Sequence, residues 1–277
     1  MKFTDTLLAH VGLNVRKLRF LLDIALRIDS RNATAIGAKL RYGSSHLRVL
    51  ALVAVEDEQF LNTYRRFGGD SRAQLLQDIV CLHLRRSGSK SRHQGYFIEI
   101  GVGNGVDLSN THLFERGLGW DGLLVEPNPH FHTSIRENRK CKLATEAAYD
   151  RCSDTVPFLS QSAREMSGLL SHTKKRRGHH HEEITVKTRR TEELFANASV
   201  PQHVDFLSID TEGSELQILS AIDFGKRDFG FIAIEHNHRS RNRKRIRNHL
   251  EKFGYEQVFP TCSQFDDWYV PTRASDH

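Results

Sequence analysis

Phe97-Ile-Glu-Ile-Gly-Val-Gly-Asn-Gly-Val106 closes an apolar run on three glycines at alternate positions, Gly101, Gly103 and Gly105. Such glycines let a backbone turn tightly and approach a ligand closely. A dinucleotide fingerprint asks for its third glycine at position 106, which is Val here. Glu99, two residues before Gly101, suits a cationic amine better than a pyrophosphate. A second run, Leu123-Leu-Val-Glu126, also ends on a carboxylate. In doubly wound folds an acidic residue at the end of the second strand binds ribose hydroxyls. A glycine loop and a ribose carboxylate without a phosphate fingerprint point to a nucleoside that carries a cation.

Two further runs end in oxygen-bearing side chains. Val204-Asp-Phe-Leu-Ser-Ile-Asp-Thr-Glu-Gly-Ser-Glu-Leu216 delivers Asp210 and Glu212 to the end of a buried strand, with Ser214 placed to cap a helix. Asp210 and Glu212 are equally readable as helix-start residues. Phe229-Gly-Phe-Ile-Ala-Ile-Glu-His-Asn237 delivers Glu235, His236 and Asn237. If these strands are neighbours, Asp210, Glu235 and Asn237 form an oxygen set for a hard divalent ion such as Mg2+. His236 or Asp210 is then the candidate general base, with Glu212 beside them.

The elements that must position these residues follow from the apolar patterning. Strands are expected at Tyr96–Ile100, Gly122–Glu126, Leu143–Tyr149, Val204–Asp210, Gly230–Glu235, Tyr255–Phe259 and Asp267–Val270. Helices are expected near 109–117, 129–139, 214–222 and 240–253. Alternation of this kind makes an α/β fold with a mostly parallel sheet. Residues 150–190 interrupt the rhythm, and Val156–Leu159 with Ile184–Thr188 read as an inserted hairpin around a basic loop. The first 92 residues read as a helical region, with Val15, Leu18, Leu22 and Ala25, then Leu50, Val53, Leu61 and Tyr64, at helical spacing. A helix after Phe67-Gly68-Gly69-Asp70-Ser71 would carry Leu75, Leu76, Ile79, Val80 and Leu84 on one side.

From about Asp70 to Pro271 the chain resembles the FkbM-like methyltransferases, a branch of the Rossmann-like class I enzymes that use S-adenosylmethionine. The resemblance is carried by Phe97-Ile-Glu-Ile-Gly, by Ser109-Asn-Thr, and by Leu118-Gly-Trp-Asp-Gly-Leu-Leu-Val-Glu-Pro-Asn-Pro129. Phe206-Leu-Ser-Ile-Asp-Thr-Glu-Gly-Ser-Glu215 and Phe265-Asp-Asp-Trp-Tyr-Val270 complete it. It implies a seven-stranded sheet with an antiparallel last strand over residues 93–277, behind an N-terminal helical extension. It also implies that S-adenosylmethionine places its methionine near Glu99, Gly101 and Gly103 and its ribose at Glu126, with Gly105 and Pro127 among the further cofactor-binding residues. The adenine would lie near Asn128 and the Ala147-Ala148-Tyr149-Asp150 turn. The implied reaction is methyl transfer to a hydroxyl of a sugar, glycoconjugate or natural product.

Composition narrows the partners. Forty basic and 34 acidic residues give a net charge of +6. The excess sits in His172–His181 and Arg239–Arg247, neither of which has the aromatic interleaving of a single-strand-binding platform. Nucleic acid is therefore not the expected partner, although a nucleic-acid-binding or non-catalytic protein on a methyltransferase fold is the rival reading. Arg176, Arg177, Arg189 and Arg190 are candidates to recognise a phosphorylated or acidic acceptor. The His179-His180-His181 run points in three directions within a basic loop, so it reads as a mobile lid or a substrate-facing loop instead of a metal site. The four cysteines are scattered without a metal or disulfide pattern. No membrane-length apolar run or signal core appears, and a cytoplasmic location is expected, with the N-terminal helices open to three roles: a cap over the site, an acceptor-binding element or a homodimer interface.

Overall fold

The structure is a computed structural model that describes residues 46, 49, 50, 52–54, 57, 59–88, 94–161, 167–173, 181–262 and 264–272. The expected periodicity over Val15–Ala25 and most of the basic His-rich loop lie outside these residues. The chain divides into two units, Met1–Lys90 and Ser91–His277.

In the first unit, helices α1 (Phe60–Phe67) and α2 (Gln77–Gly88) pack around a buried histidine. His83 Nε2 lies 2.9 Å from Asp57 and its Nδ1 3.4 Å from Thr63, with the ring edge-on to Phe60. Ile79 and Val80 are buried as expected, but α2 starts only at Gln77. Leu75 and Leu76 are buried ahead of it: Leu76 has φ +59°, outside the helical region, and the Gln77 side chain accepts the Leu75 N–H.

The second unit is built on a seven-stranded sheet in the order β12-β13-β11-β9-β1-β2-β3. Its strands are β1 (Tyr96–Ile100), β2 (Asp121–Val125), β3 (Lys142–Ala144), β9 (Phe206–Ile209), β11 (Ile232–Glu235), β12 (Tyr255–Val258) and β13 (Asp266–Pro271). β13 runs antiparallel to both neighbours, and the β1, β2, β3, β9 and β11 pairings are parallel. β1 lies between β2 and β9, so the order of winding reverses there. The central strands β1, β2, β9 and β11 are buried nearly throughout. Strands covered on both faces read as unbroken apolar runs, which is why these four were visible in the sequence.

Helices α3 (His112–Leu118), α4 (Pro129–Asn138), α6 (Glu215–Ser220) and α7 (Ser240–Glu251) follow β1, β2, β9 and β11. The helix α5 (Thr191–Asn197) was not foreseen. Phe114 stacks on Trp120 at 4.4 Å and meets Phe206 edge-on at 5.0 Å, tying α3 to the sheet.

The run expected as one strand over Leu143–Tyr149 is two. β3 ends at Ala144, and β4 (Ala147–Tyr149) leaves the main sheet to pair in parallel with β7 (His181–Arg190). The inserted hairpin forms as expected: β5 (Ser153–Gln161) pairs antiparallel with β7, Phe158 opposite Ile184. The short strand β6 (Gly168–Leu169) completes this four-stranded sheet. The remaining strands, β8 (His203–Val204) and β10 (Asp228–Phe229), form a two-stranded parallel sheet.

Arg139, just past α4, is buried and reaches under the loop that follows β1. It donates to the Gly105 carbonyl at 3.0 Å, Ser109 Oγ at 3.1 Å and Thr111 Oγ1 at 3.0 Å, and it pairs with Glu115. Removing one partner of a buried ion pair leaves the other charge uncompensated, at roughly 3–5 kcal/mol. Arg139→Met should therefore lose about 3 kcal/mol or more in denaturant unfolding. A loss below about 1 kcal/mol would show that Glu99 and Glu115 do not depend on it.

Candidate active site

Strand register sets the site. Ile100 pairs with Val125 on one side and Ile209 on the other, and Ile209 pairs with Ile234. The next residues, Gly101, Glu126, Asp210 and Glu235, therefore form a row across the C-terminal edge of four adjacent strands. Open α/β sheets bind ligands outside this edge, where the winding reverses. Gly101 has φ +87°, and a Cβ there would lie 1.7 Å from the Asp210 carbonyl oxygen. No other residue fits so close a crossing.

A cleft of about 630 Å³, open to solvent on one side, lies over this row. Gly101, Gly103, Glu126 and Pro127 form one wall; Asp210, Thr211, Glu212 and Ser214 form another. Phe131, Ala147, Ala148, Phe158 and Leu169 supply apolar surface. The mixture of apolar walls with a few convergent polar groups is that of a small-molecule site.

Glu126 is buried and braces the glycine loop. Its Oε2 accepts N–H groups from Gly103 at 2.8 Å and Val102 at 3.1 Å, and its Oε1 accepts that of Asn128 at 2.9 Å. A carboxylate has about four lone-pair positions, so one on Oε1 is left for a ligand. Burial pushes its pKa up to about 7 against the three donated N–H groups, with Glu99 adding to the rise.

Asp210, Glu212 and Glu235 can bring carboxylate oxygens within 4.8 Å of one another. Burial pushes Asp210 up to about 8, and the neighbouring Glu212, Glu215 and Asp266 add to it, whereas its bond with Glu235 works the other way. Glu235 is raised well above the ordinary carboxylate range, by burial first and then by Asp210. Glu215 closes the turn behind them: its Oε1 accepts the N–H groups of Gly213 and Thr211. Ser214 does not cap α6 with its side chain; its hydroxyl donates to Thr211.

Several expected site residues face elsewhere. Glu99 sits under the loop, accepting from Ser109 Oγ at 2.8 Å, Thr111 Oγ1 and the Asn110 N–H at 2.7 Å. Its pKa is raised by burial and pulled back by Arg139 and these donors. It shapes the loop from behind instead of lining the cleft. Gly105 likewise packs on α4, beside Ile135 and Arg139. Asn128 caps α4 by accepting the His130 N–H and donates to Ser160, so its polar atoms are held by protein.

His236 directly follows β11, whose last residue is Glu235, and the extended chain there turns successive side chains to opposite faces. His236 consequently lies on the far face, its Nδ1 accepting the His238 N–H and its Nε2 3.7 Å from Asp267. Asn237, expected as the third oxygen ligand, instead turns its amide N–H towards the acids, donating to Glu212 at 3.1 Å and Glu235 at 2.8 Å, and Glu212 stands in its place beside Asp210 and Glu235. Asp150 lies beside Arg151 and His172, off the cleft wall. Arg189 is bound through two nitrogens to Glu146, which takes it out of the proposed acceptor-recognition set.

Sequence reading missed Arg139, for which no local signal exists, and the walls Phe131, Phe158 and Leu169. The period-2 pattern of β5 could have pointed to Phe158.

The reversal of winding, the glycine crossing and the cleft define a Rossmann-like α/β ligand-binding unit. Residues 99–256, more than half of the chain, match the methyltransferase FkbM domain, and the chain belongs to that family. No curated protein matches it. A Pyrococcus horikoshii protein described as an RNA methyltransferase is 12% identical, with 74% of this chain and 86% of that one covered at a TM-score of 0.38. Methyltransferase FkbM of Methylobacillus flagellatus KT is 13% identical, with 81% of this chain and 60% of that one covered at a TM-score of 0.40. Among the described residues no helix is long and apolar enough to cross a membrane.

A raised folded-state pKa favours protonated Glu126, so its contribution to stability is full below about 4.5 and lost as pH rises through about 7. The span corresponds to roughly 3 kcal/mol. Between pH 5 and pH 8 the Tm of the ligand-free wild type should fall relative to that of Glu126→Gln, whose lost Asn128 bond is a constant offset. A Tm difference independent of pH would contradict this.

Proposed function

We propose that this chain is an S-adenosylmethionine-dependent O-methyltransferase acting on a hydroxyl of a sugar, glycoconjugate or natural product. The observation that carries the reading is the cleft itself. A carboxylate with one lone pair to spare meets a glycine crossing at the reversal of winding, opposite a cluster of acids with raised pKa. The donor set fits the cofactor: Gly101 and Gly103 admit its backbone-like methionine, Glu126 and Pro127 suit the ribose, and Phe131, Ala148 and Phe158 suit the adenine. When bound, S-adenosylmethionine supplies an electrophilic methyl group.

The chain's own part is to orient the acceptor oxygen and remove its proton. Asp210, half-buried at the cleft wall and joined to Glu235, is the group placed to take that proton. Its pKa of about 8 makes it a stronger base, when ionised, than an ordinary carboxylate. The trio Asp210, Glu212 and Glu235 is also the oxygen set a hard divalent cation such as Mg2+ takes, which would displace the shared protons. Chelation separates these: turnover abolished by EDTA and restored by Mg2+ assigns the cation, whereas unchanged turnover assigns the direct base.

Calorimetric titration with S-adenosylmethionine tests the reading first. Micromolar binding that weakens about 10- to 100-fold in Glu126→Ala is expected, the range for losing a charged hydrogen bond. A well-folded chain that does not bind the cofactor would contradict it. Asp210→Asn should retain binding and lose turnover; full turnover would remove Asp210 from the mechanism.

A further inference from the structure

The rim of the cleft carries a cationic group that the reaction so far leaves unused. Gly213, between the cleft residues Glu212 and Ser214, has φ +132° and no side chain to fill the space above it. A Cβ built there would lie 2.7 Å from Arg239 Nη1, 3.1 Å from the His172 carbonyl oxygen and 3.2 Å from His172 Cβ. Arg239 and His172 therefore converge over the loop that forms the Asp210 side of the cleft. His172 is held there: its Nε2 lies 2.9 Å from the Tyr149 hydroxyl, and Thr173 reaches the Glu212 carbonyl. Arg151 lies over the Tyr149 ring at 5.4 Å, on the same rim.

Four of the arginines packed around the two sheets are neutralised by carboxylates. Arg139 pairs with Glu115, Arg189 with Glu146, Arg227 with Glu192, and Arg243 with Asp267 through two nitrogens. Among the described residues no carboxylate forms an ion pair with Arg239. Arg239 also directly precedes α7, whose first turn contains no acid, so the positive end of that 12-residue helix adds to the same field. Arg151 is partly offset by Asp150 at 3.4 Å, which leaves Arg239 as the principal positive charge of the rim among the described residues.

We propose that the rim formed by Arg239 and His172, with Arg151 beside them, binds an anionic group of the methyl acceptor, a phosphate or a carboxylate. This rests on the reading of the cleft as a methyltransferase site and names the acceptor class for it. A planar guanidinium recognises either anion through paired N–H donors, and a neutral imidazole adds a further donor. The anion's place at the rim leaves the hydroxyl of the same molecule to reach towards Asp210.

The test is an NMR titration of the full chain with inorganic phosphate and, separately, with acetate, both against sodium chloride at equal ionic strength. The side-chain Nε signal of Arg239 and the ring signals of His172 are followed. Saturable millimolar shifts of both sets are expected with at least one anion. Phosphate alone assigns a phosphorylated acceptor, and acetate a carboxylate. Arg239→Ala should weaken the binding at least fivefold and Arg239→Lys less, with S-adenosylmethionine affinity unchanged in both. Shifts equal to those of sodium chloride, or an Arg239→Ala chain that binds the anion like wild type, would overturn the proposal. Failure of the cofactor reading is seen separately, as a chain that binds no S-adenosylmethionine whatever the anion does.

Discussion

The cleft depends on one carboxylate that spans two strands. Glu126 directly follows β2, yet two of its three hydrogen bonds go to the loop that leaves β1. Without it, Val102 and Gly103 would present buried N–H groups with no acceptor, and the loop would have no reason to keep its open shape. A second buried acid holds the loop from below: Glu99 gathers Ser109, Asn110 and Thr111, and Arg139 balances its charge. The glycine loop is thus suspended between two acids, one facing the cleft and one facing the core.

The parallel register turns this local device into a site. Because the four central strands end in step, their next residues emerge side by side, and three of the four are acidic. Crowding acids in a low-dielectric edge costs stability, and the raised pKa values of Glu126, Asp210 and Glu235 express that cost. Groups shifted towards neutral pH exchange protons readily under working conditions, which is the property a proton-accepting site needs. The inserted four-stranded sheet completes the enclosure, with Phe158 and Leu169 as an apolar wall and the turn carrying His172 at the rim.

The sheet was legible because strands buried on both faces must be apolar throughout, and Gly101, Glu126 and Asp210 could be located at their ends. Side-chain direction was legible only in part. Glu235 is the last residue of β11 and His236 lies just past it, so the histidine's place by Asp267 on the far face needed its contacts as well as the strand pattern. Asn128 is different: its role as the cap of α4 competes with ligand binding, and only the hydrogen bonds show which role holds. The Arg139 contacts join residues up to 34 positions apart, and no local pattern encodes them. The departure of β4 from the main sheet also depends on a distant partner, β7, which a reading of Leu143–Tyr149 by itself does not contain.

The central claim is that the acid bracing the loop is the acid that receives the cofactor. At pH 7 Glu126 is about half protonated, and a ligand that offers it hydroxyl donors and a positive charge favours the ionised form. Cofactor binding must then release protons. The most direct measurement is calorimetry of S-adenosylmethionine binding at pH 7 in buffers of different ionisation enthalpy. Apparent enthalpies that vary with the buffer in the sense of proton release, with a smaller dependence in Glu126→Gln, are the predicted result. Binding with the same enthalpy in every buffer would contradict the account.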